Sequence, residues 1–144
     1  CGIVLMNIQT ANAGYVKKAT EQQATLSVMT RVVDRMESTE GYEPGITPVV
    51  FLGTPADYLK TFEPFEEIES IAGLNANASV TYLRAYAMYF QMIMRVNVNI
   101  VYDLSDFDLN EDTCGKTMPC FPAEDSIQMV NGVMIVKFGD WFPE

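Results

Sequence analysis

The dipeptide Asn131-Gly132, set between two apolar runs, constrains the fold of this chain more than any other feature. Asn and Gly are the pair best able to hold two successive positive φ angles, which a two-residue type I′ turn demands. The flanking runs, Ser126-Ile127-Gln128-Met129-Val130 and Val133-Met134-Ile135-Val136-Lys137-Phe138, are therefore expected to pair as an antiparallel hairpin. A hairpin has an apolar face to bury, so the rest of the chain must cover it. It carries no catalytic chemistry of its own.

Two helices and two further strands are expected to supply that cover. From Tyr15 to Glu40 no Pro or Gly interrupts the chain, and Tyr15, Ala19, Gln22, Leu26, Met29, Val33 and Met36 recur at alternating spacings of four and three. Lys17, Lys18, Glu21, Arg31, Asp34 and Glu37 fall off that stripe, and Gly41 offers a left-handed stop. Pro48-Val49-Val50-Phe51-Leu52-Gly53 is a continuous apolar run bounded by breakers, as in an interior strand covered on both faces. Thr54-Pro55-Ala56 reads as an N-cap and a Pro-started turn. Ser79 is placed to cap a second helix, with Val80, Leu83, Tyr86, Ala87, Phe90 and Met94 as its apolar face. Tyr82, Tyr89 and Met92 widen that face, so burial on more than one side is expected. Arg95 suits the helix's negative end. Val96 to Val101 alternates apolar with polar, which predicts a strand with one wet face. The fold class is thus α/β: a mixed sheet of about four strands with a C-terminal β-hairpin, packed by two main helices. If the strands at 48 and 101 are parallel, their connection is a right-handed crossover.

Composition narrows the function classes. The chain has 144 residues, one domain of ordinary size, and its 49% hydrophobic and 11% aromatic content excludes a disordered chain. No run reaches the roughly 18 apolar residues that span a bilayer. A net charge of −10 repels phosphate backbones, so nucleic acid is not an expected partner. The chain has no His, which removes the commonest general base and metal ligand along with Ser-His and Cys-His pairs.

Several residues admit a chemical reading beside a plain one. Cys114 and Cys120 close a loop containing Gly115 and Pro119. A disulfide and two separate thiols both fit them, and a closed zinc site would need more ligands. Asp106-Phe107-Asp108 is a literal Asp-x-Asp, the pattern that holds a divalent metal in many nucleotide-sugar transferases. It sits in an acidic stretch with Asp103, Glu111 and Asp112, whose plain reading is a solvated loop. Glu63, Glu66, Glu67 and Glu69 read the same way, against paired catalytic carboxylates. Gly53-Thr54 lacks the context of a phosphate cradle, and Asn77-Ala78-Ser79 fits a glycosylation sequon of a kind common by chance. Trp141 and Phe142 either pack back on the sheet or stand exposed to stack on sugar rings.

The first residues, Cys1-Gly2-Ile3-Val4-Leu5-Met6-Asn7-Ile8, are expected to be the end of a membrane helix, with an ordinary first strand as the alternative. Residues 1–14 are accordingly read as helix end and linker, and 15–144 as a single α/β domain.

The block Gln23 to Glu37, leading through Gly41-Tyr42-Glu43-Pro44-Gly45 into Pro48 to Gly53, resembles the C-terminal part of bacterial multi-pass membrane glucosyltransferases. These are the serotype-converting type, which move glucose from a polyprenyl-phosphate carrier to a surface polysaccharide. The closing Met118-Pro119, Phe121-Pro122, Ser126-Ile127 and Asn131 to Lys137 are similar to the end of those proteins, and Ala11-Asn12 with Tyr15 to Lys18 to their exit from the last membrane helix. The resemblance implies an extracytoplasmic domain at the bacterial cell membrane. It would be accessory to transfer, through acceptor engagement or stability, and not itself catalytic. Its partners would be the membrane-embedded part of the same polypeptide and the polysaccharide acceptor. No catalytic or cofactor residue carries over, and the lipid-linked glucose donor would belong to the parent enzyme. The cysteine pair and the negative charge agree with that side of the membrane, whereas Lys17 and Lys18 favour the cytoplasmic one. Two other classes stand beside it: an independent small-molecule or saccharide-binding module, and a metal-dependent transferase using Asp106 and Asp108.

Overall fold

The computed structural model describes residues 2–55, 58, 83–102, 107, 109, 114 and 116–139. Its first element is α1 (Gly2–Ser38), a single helix of 37 residues. At 1.5 Å per residue it is about 55 Å long. The expected boundary near residue 15 is absent, and so is a first strand. Residues 3–13 contain no Pro, and the roughly 1 kcal/mol that Gly14 costs in a helix interior does not outweigh propagation through Ala11, Ala13 and Ala19. Ile3, Val4, Met6 and Ile8 are exposed, as are Tyr15 and Val16.

The buried face of α1 differs from the expected stripe. Met29, Val33 and Met36 are buried as read, but Tyr15 is 77% exposed and Leu26 42% exposed. Lys17, Glu21, Thr25, Val28 and Val32 occupy the interior in their place. A row alternating four and three has a period of 3.5 and drifts about 20° per heptad around a straight helix. It therefore meets the true contact face only at its C-terminal end.

The turn that follows runs from Glu43 to Thr47, where the Ile46 and Thr47 N–H groups donate to the Glu43 carbonyl and Thr47 Oγ1 accepts from the Glu43 backbone N–H at 2.8 Å. Gly41 takes a positive φ of 85°, three residues beyond the helix end. Strand β1 (Pro48–Leu52) comes next and occupies an interior position. Gly53 then turns at φ 74°, and Pro55 is helical.

The second described helix, α2 (Leu83–Met88), continues into a π-helical turn at Tyr89–Met94. Tyr86, Tyr89 and Phe90 are buried, but Met88, Met92 and Ile93 are exposed, so among the described side chains one side is buried and Met92 does not widen it. The wider turn shifts the register of the residues after Met88, which turns Met92 outward. Arg95 closes the turn in the left-handed conformation at φ 60°. Strand β2 (Asn99–Ile100) is shorter than its alternating pattern suggested. Its pairing with β1 joins Pro48 to Asn99 and Val49 to Ile100, and the Val101 N–H adds one bond to the Val49 carbonyl at 2.9 Å. Ser79, Val80 and Tyr82 lie outside the described residues.

A short 3₁₀ turn at Glu124–Ser126 leads into β3 (Ile127–Val130) and β4 (Val133–Lys137). The expected hairpin forms with Asn131 at φ 50° and Gly132 at φ 81°, and Val130 faces Val133 across the turn. The sheet order is β2-β1-β4-β3: β1 runs parallel to β2 and β4, and β3 antiparallel to β4. The α/β class with a mixed four-stranded sheet thus holds.

Strand alternation divides the core in two. Val49, Phe51, Met134, Val136 and Ile127 face α1 and α2 and pack with Val28, Met29, Val32, Tyr86 and Phe90. Phe51 stacks on Tyr86 with ring centroids 4.3 Å apart, and the Tyr86 hydroxyl donates to the Gly53 carbonyl. Val50, Leu52, Val133 and Ile135 form the opposite core with Cys114 and Met118.

Candidate functional site

Two groupings of polar side chains stand out from this packing, both built on α1. The first is buried. Lys17 is 1% exposed and Glu21 is fully buried. Lys18 Nζ donates to Glu21 Oε2 at 2.9 Å, while Lys17 Nζ lies 4.0 Å from Glu21 Oε1. The spacings i,i+3 and i,i+4 put all three on one side of the helix. Thr25 Oγ1 donates to the Glu21 carbonyl at 2.8 Å. Glu21 Oε1 has no hydrogen-bond partner among the described residues. The pair was invisible in the sequence because charged residues are nearly always read as solvated. The available signal was its i,i+4 spacing of opposite charge, which lets a buried ammonium and carboxylate neutralise each other.

The second grouping lies at the other end of α1, where its last turns meet the segment before β3. Arg35 Nη1 donates to the Ala123 carbonyl at 2.9 Å and Nη2 to the Pro122 carbonyl at 3.0 Å. Ser126 Oγ also donates to the Ala123 carbonyl, at 2.7 Å. Phe121 is buried beneath two guanidinium groups: Arg31 Cζ lies 4.9 Å and Arg35 Cζ 5.2 Å from its ring centroid. Tyr58 meets the same ring edge-on at 5.0 Å, and Phe138 at 5.4 Å. An aromatic face carries negative charge density, so two cations gather there at a spacing that would otherwise repel.

Beside Arg35 a pocket of about 360 Å³ opens, lined by Arg35, Ser38, Thr39, Glu124 and Ile127. Its hydroxyls already donate to backbone carbonyls, Ser38 Oγ to Asp34 at 2.6 Å and Thr39 Oγ1 to Arg35 at 2.8 Å. What they offer inward is their lone pairs, alongside the Glu124 carboxylate. Sequence reading assigned Arg31 to the solvated side of the helix and gave Arg35 and Glu124 no role. Only their joint approach to Phe121 and Ala123 brings them together.

The residues expected to carry chemistry are distributed otherwise. Cys114 is buried in the second core and Cys120 half-buried, and no disulfide joins them. The intervening segment is held instead by the buried Lys137, whose Nζ donates to the Met118 carbonyl at 2.7 Å. Asp106 and Asp108 lie outside the described residues, as do Asp103, Glu111, Asp112, the glutamates at 63, 66, 67 and 69, and Trp141 and Phe142. Among the described residues no group of three or more His, Cys, Asp or Glu converges as a metal site, and no helix is long and apolar enough to cross a membrane.

Comparison with protein-family models, with curated proteins and with solved structures gives no match to this chain.

Proposed function

We propose that this chain is an extracytoplasmic, accessory domain of a bacterial membrane glucosyltransferase, engaging the polysaccharide acceptor or bracing the membrane-embedded part of the same polypeptide. The lipid-linked glucose donor and the catalytic residues belong, in this reading, to that membrane part. The observation that supports it best is the unbroken course of α1. Its first turns expose Ile3, Val4, Met6 and Ile8 to solvent, and the same helix buries Val28, Val32 and Met36 against the sheet. Four exposed apolar residues within two turns are costly in water and suit a neighbour of low polarity. A continuous helix would transmit the position of such a neighbour to the domain without a flexible joint.

The test has two parts. The gene that encodes the chain is expected to specify about ten hydrophobic spans of roughly 20 residues each upstream of it. The isolated chain is expected to leave polyprenyl-phosphate-glucose unconsumed in the presence of acceptor polysaccharide. Turnover by the chain alone, or a gene without such spans, would overturn the proposal.

The pocket beside Arg35 favours a second reading, an independent saccharide-binding module. Saturable binding of neutral or charged saccharides by the chain, with no membrane-spanning partner encoded in the same gene, would select it over the first.

A further inference from the structure

The geometry points to a binding site for an acidic saccharide, a sugar ring carrying a carboxylate or phosphate, on the Arg31–Arg35 surface of α1 and the pocket beside it. This deepens the acceptor-engagement part of the proposed function and rests on it only for biological meaning. Binding itself is a property of the chain.

Charge is the first argument. The chain carries nine Lys and Arg against nineteen Asp and Glu, so an unneutralised pair of cations is unusual on it. The ion pairs among the described residues are those of Lys17 and Lys18 with Glu21. Arg31 and Arg35 have no carboxylate partner there, although they stand one turn apart and both lean over Phe121. Arg35 is held in place by two backbone carbonyls. Arg31 is exposed and makes no hydrogen bond among the described residues, so its planar fork of donors remains for a ligand. Guanidinium forks match carboxylate and phosphate oxygens two at a time.

The pocket supplies the second argument, because its chemistry is the reverse. Ser38 and Thr39 spend their hydroxyl protons on backbone carbonyls and Glu124 is a carboxylate, so this end accepts hydrogen bonds. A bare anion would be repelled by Glu124. A ligand that satisfies both ends needs an anionic group for Arg31 and Arg35 and hydroxyl donors for Ser38, Thr39 and Glu124. Arg31, Arg35 and Ser38 follow one another along α1 and Thr39 lies one residue beyond it, with about 6 Å of rise between the arginines; Arg35 lines the pocket and Arg31 stands one turn before it. An acidic sugar carries both kinds of group on one ring.

The experiment is a titration of the 144-residue chain, followed by backbone amide and arginine side-chain NMR signals. The probes are glucuronate, glucose 6-phosphate, glucose and acetate. Glucuronate or glucose 6-phosphate is expected to shift the signals of Arg31, Arg35, Thr39 and Glu124, with an affinity roughly 10-fold or more above that of glucose or acetate, falling as salt is raised. Whichever of the two charged sugars binds more tightly identifies the anionic group. Arg31→Gln is expected to weaken binding roughly 10-fold, and Arg31→Lys to restore part of it. Arg31 is exposed and touches the fold through its stacking on Phe121, so urea unfolding of Arg31→Gln, expected to shift little, separates loss of binding from loss of folding. Glu124→Ala is expected to weaken glucuronate but to leave acetate unchanged or stronger. Equal affinity for acetate and glucuronate, or binding indifferent to Arg31→Gln, would overturn the proposal, as would no saturable shift with either charged sugar. None of these outcomes depends on whether the gene encodes membrane spans, so a failure here is distinct from a failure of the glucosyltransferase reading.

Discussion

Val49 and Phe51 point toward helices, while Val50 and Leu52, their neighbours in the same strand, point toward Cys114 and Met118. The helical side of the sheet is covered by aromatic and aliphatic side chains that stack in layers, Phe51 on Tyr86 and both against Phe90. On the opposite side, Cys114 and Met118 are the buried cover among the described residues. It is closed by a buried ammonium, where Lys137 Nζ meets the Met118 carbonyl and the Phe121 N–H returns a bond to the Lys137 carbonyl at 2.7 Å. One face is thus stabilised mainly by apolar area, which is tolerant of direction. The other also needs a directional bond, because the Met118 carbonyl brought against it is polar and must be satisfied.

This contrast can be broken most directly at Phe51. Phe51→Ala is expected to cost ~3–5 kcal/mol in urea unfolding, and more than Leu52→Ala on the opposite face. A larger loss at Leu52 would reverse the assignment of the main core. Lys137→Ala is expected to cost about 2 kcal/mol, through an orphaned carbonyl and lost packing of the lysine stem, whereas Lys137→Met, which keeps the stem, should lose less. If Lys137→Met unfolds at the same urea concentration as the parent chain, the ammonium contributes nothing and this face is held by area alone.

Smaller effects sharpen the edges of the picture. Gly132→Ala meets open space but must hold a φ of 81°, so about 1 kcal/mol is expected, read as a lower midpoint with an unchanged slope. The smallest effect concerns pH. Burial first, and the Glu37 carboxylate second, raise the pKa of Tyr42 above the ordinary 10.0. The folded protein therefore holds that proton more tightly than the unfolded chain. The resulting stability is fully present below pH 10.0 and is lost as pH rises through the higher folded value. Tyr42→Phe is expected to flatten the decline in denaturation midpoint between neutral and strongly alkaline pH; an unchanged decline would assign it to other groups.

The same division explains what could be read from the residues. The Asn131-Gly132 turn and the β1 run were legible because their signals are local: two positive φ angles in one case, four consecutive apolar residues between Pro48 and Gly53 in the other. The buried side of α1 was legible only at Met29, Val33 and Met36. Elsewhere it depends on what packs against the helix, and Lys17 and Glu21, buried 4.0 Å apart, look like surface charges in the sequence. The outward turn of Met92 had no local signal, since it follows from the π-helical step at Tyr89. The candidate site was less legible still. Arg31 and Arg35 look like ordinary surface cations in the sequence, and Phe121 and Glu124, which give them meaning, come more than 80 residues later.

By itself the sequence determined the α/β class, the interior strand and the closing hairpin, because each rests on backbone geometry and short-range apolar pattern. The tertiary structure alone decided which face of the long helix is buried, where Lys17, Glu21 and Lys137 lie, and which charges gather around Phe121. Those outcomes are set by the sum of burial and pairing energies between distant segments, and no window of neighbouring residues contains both members of such a pair.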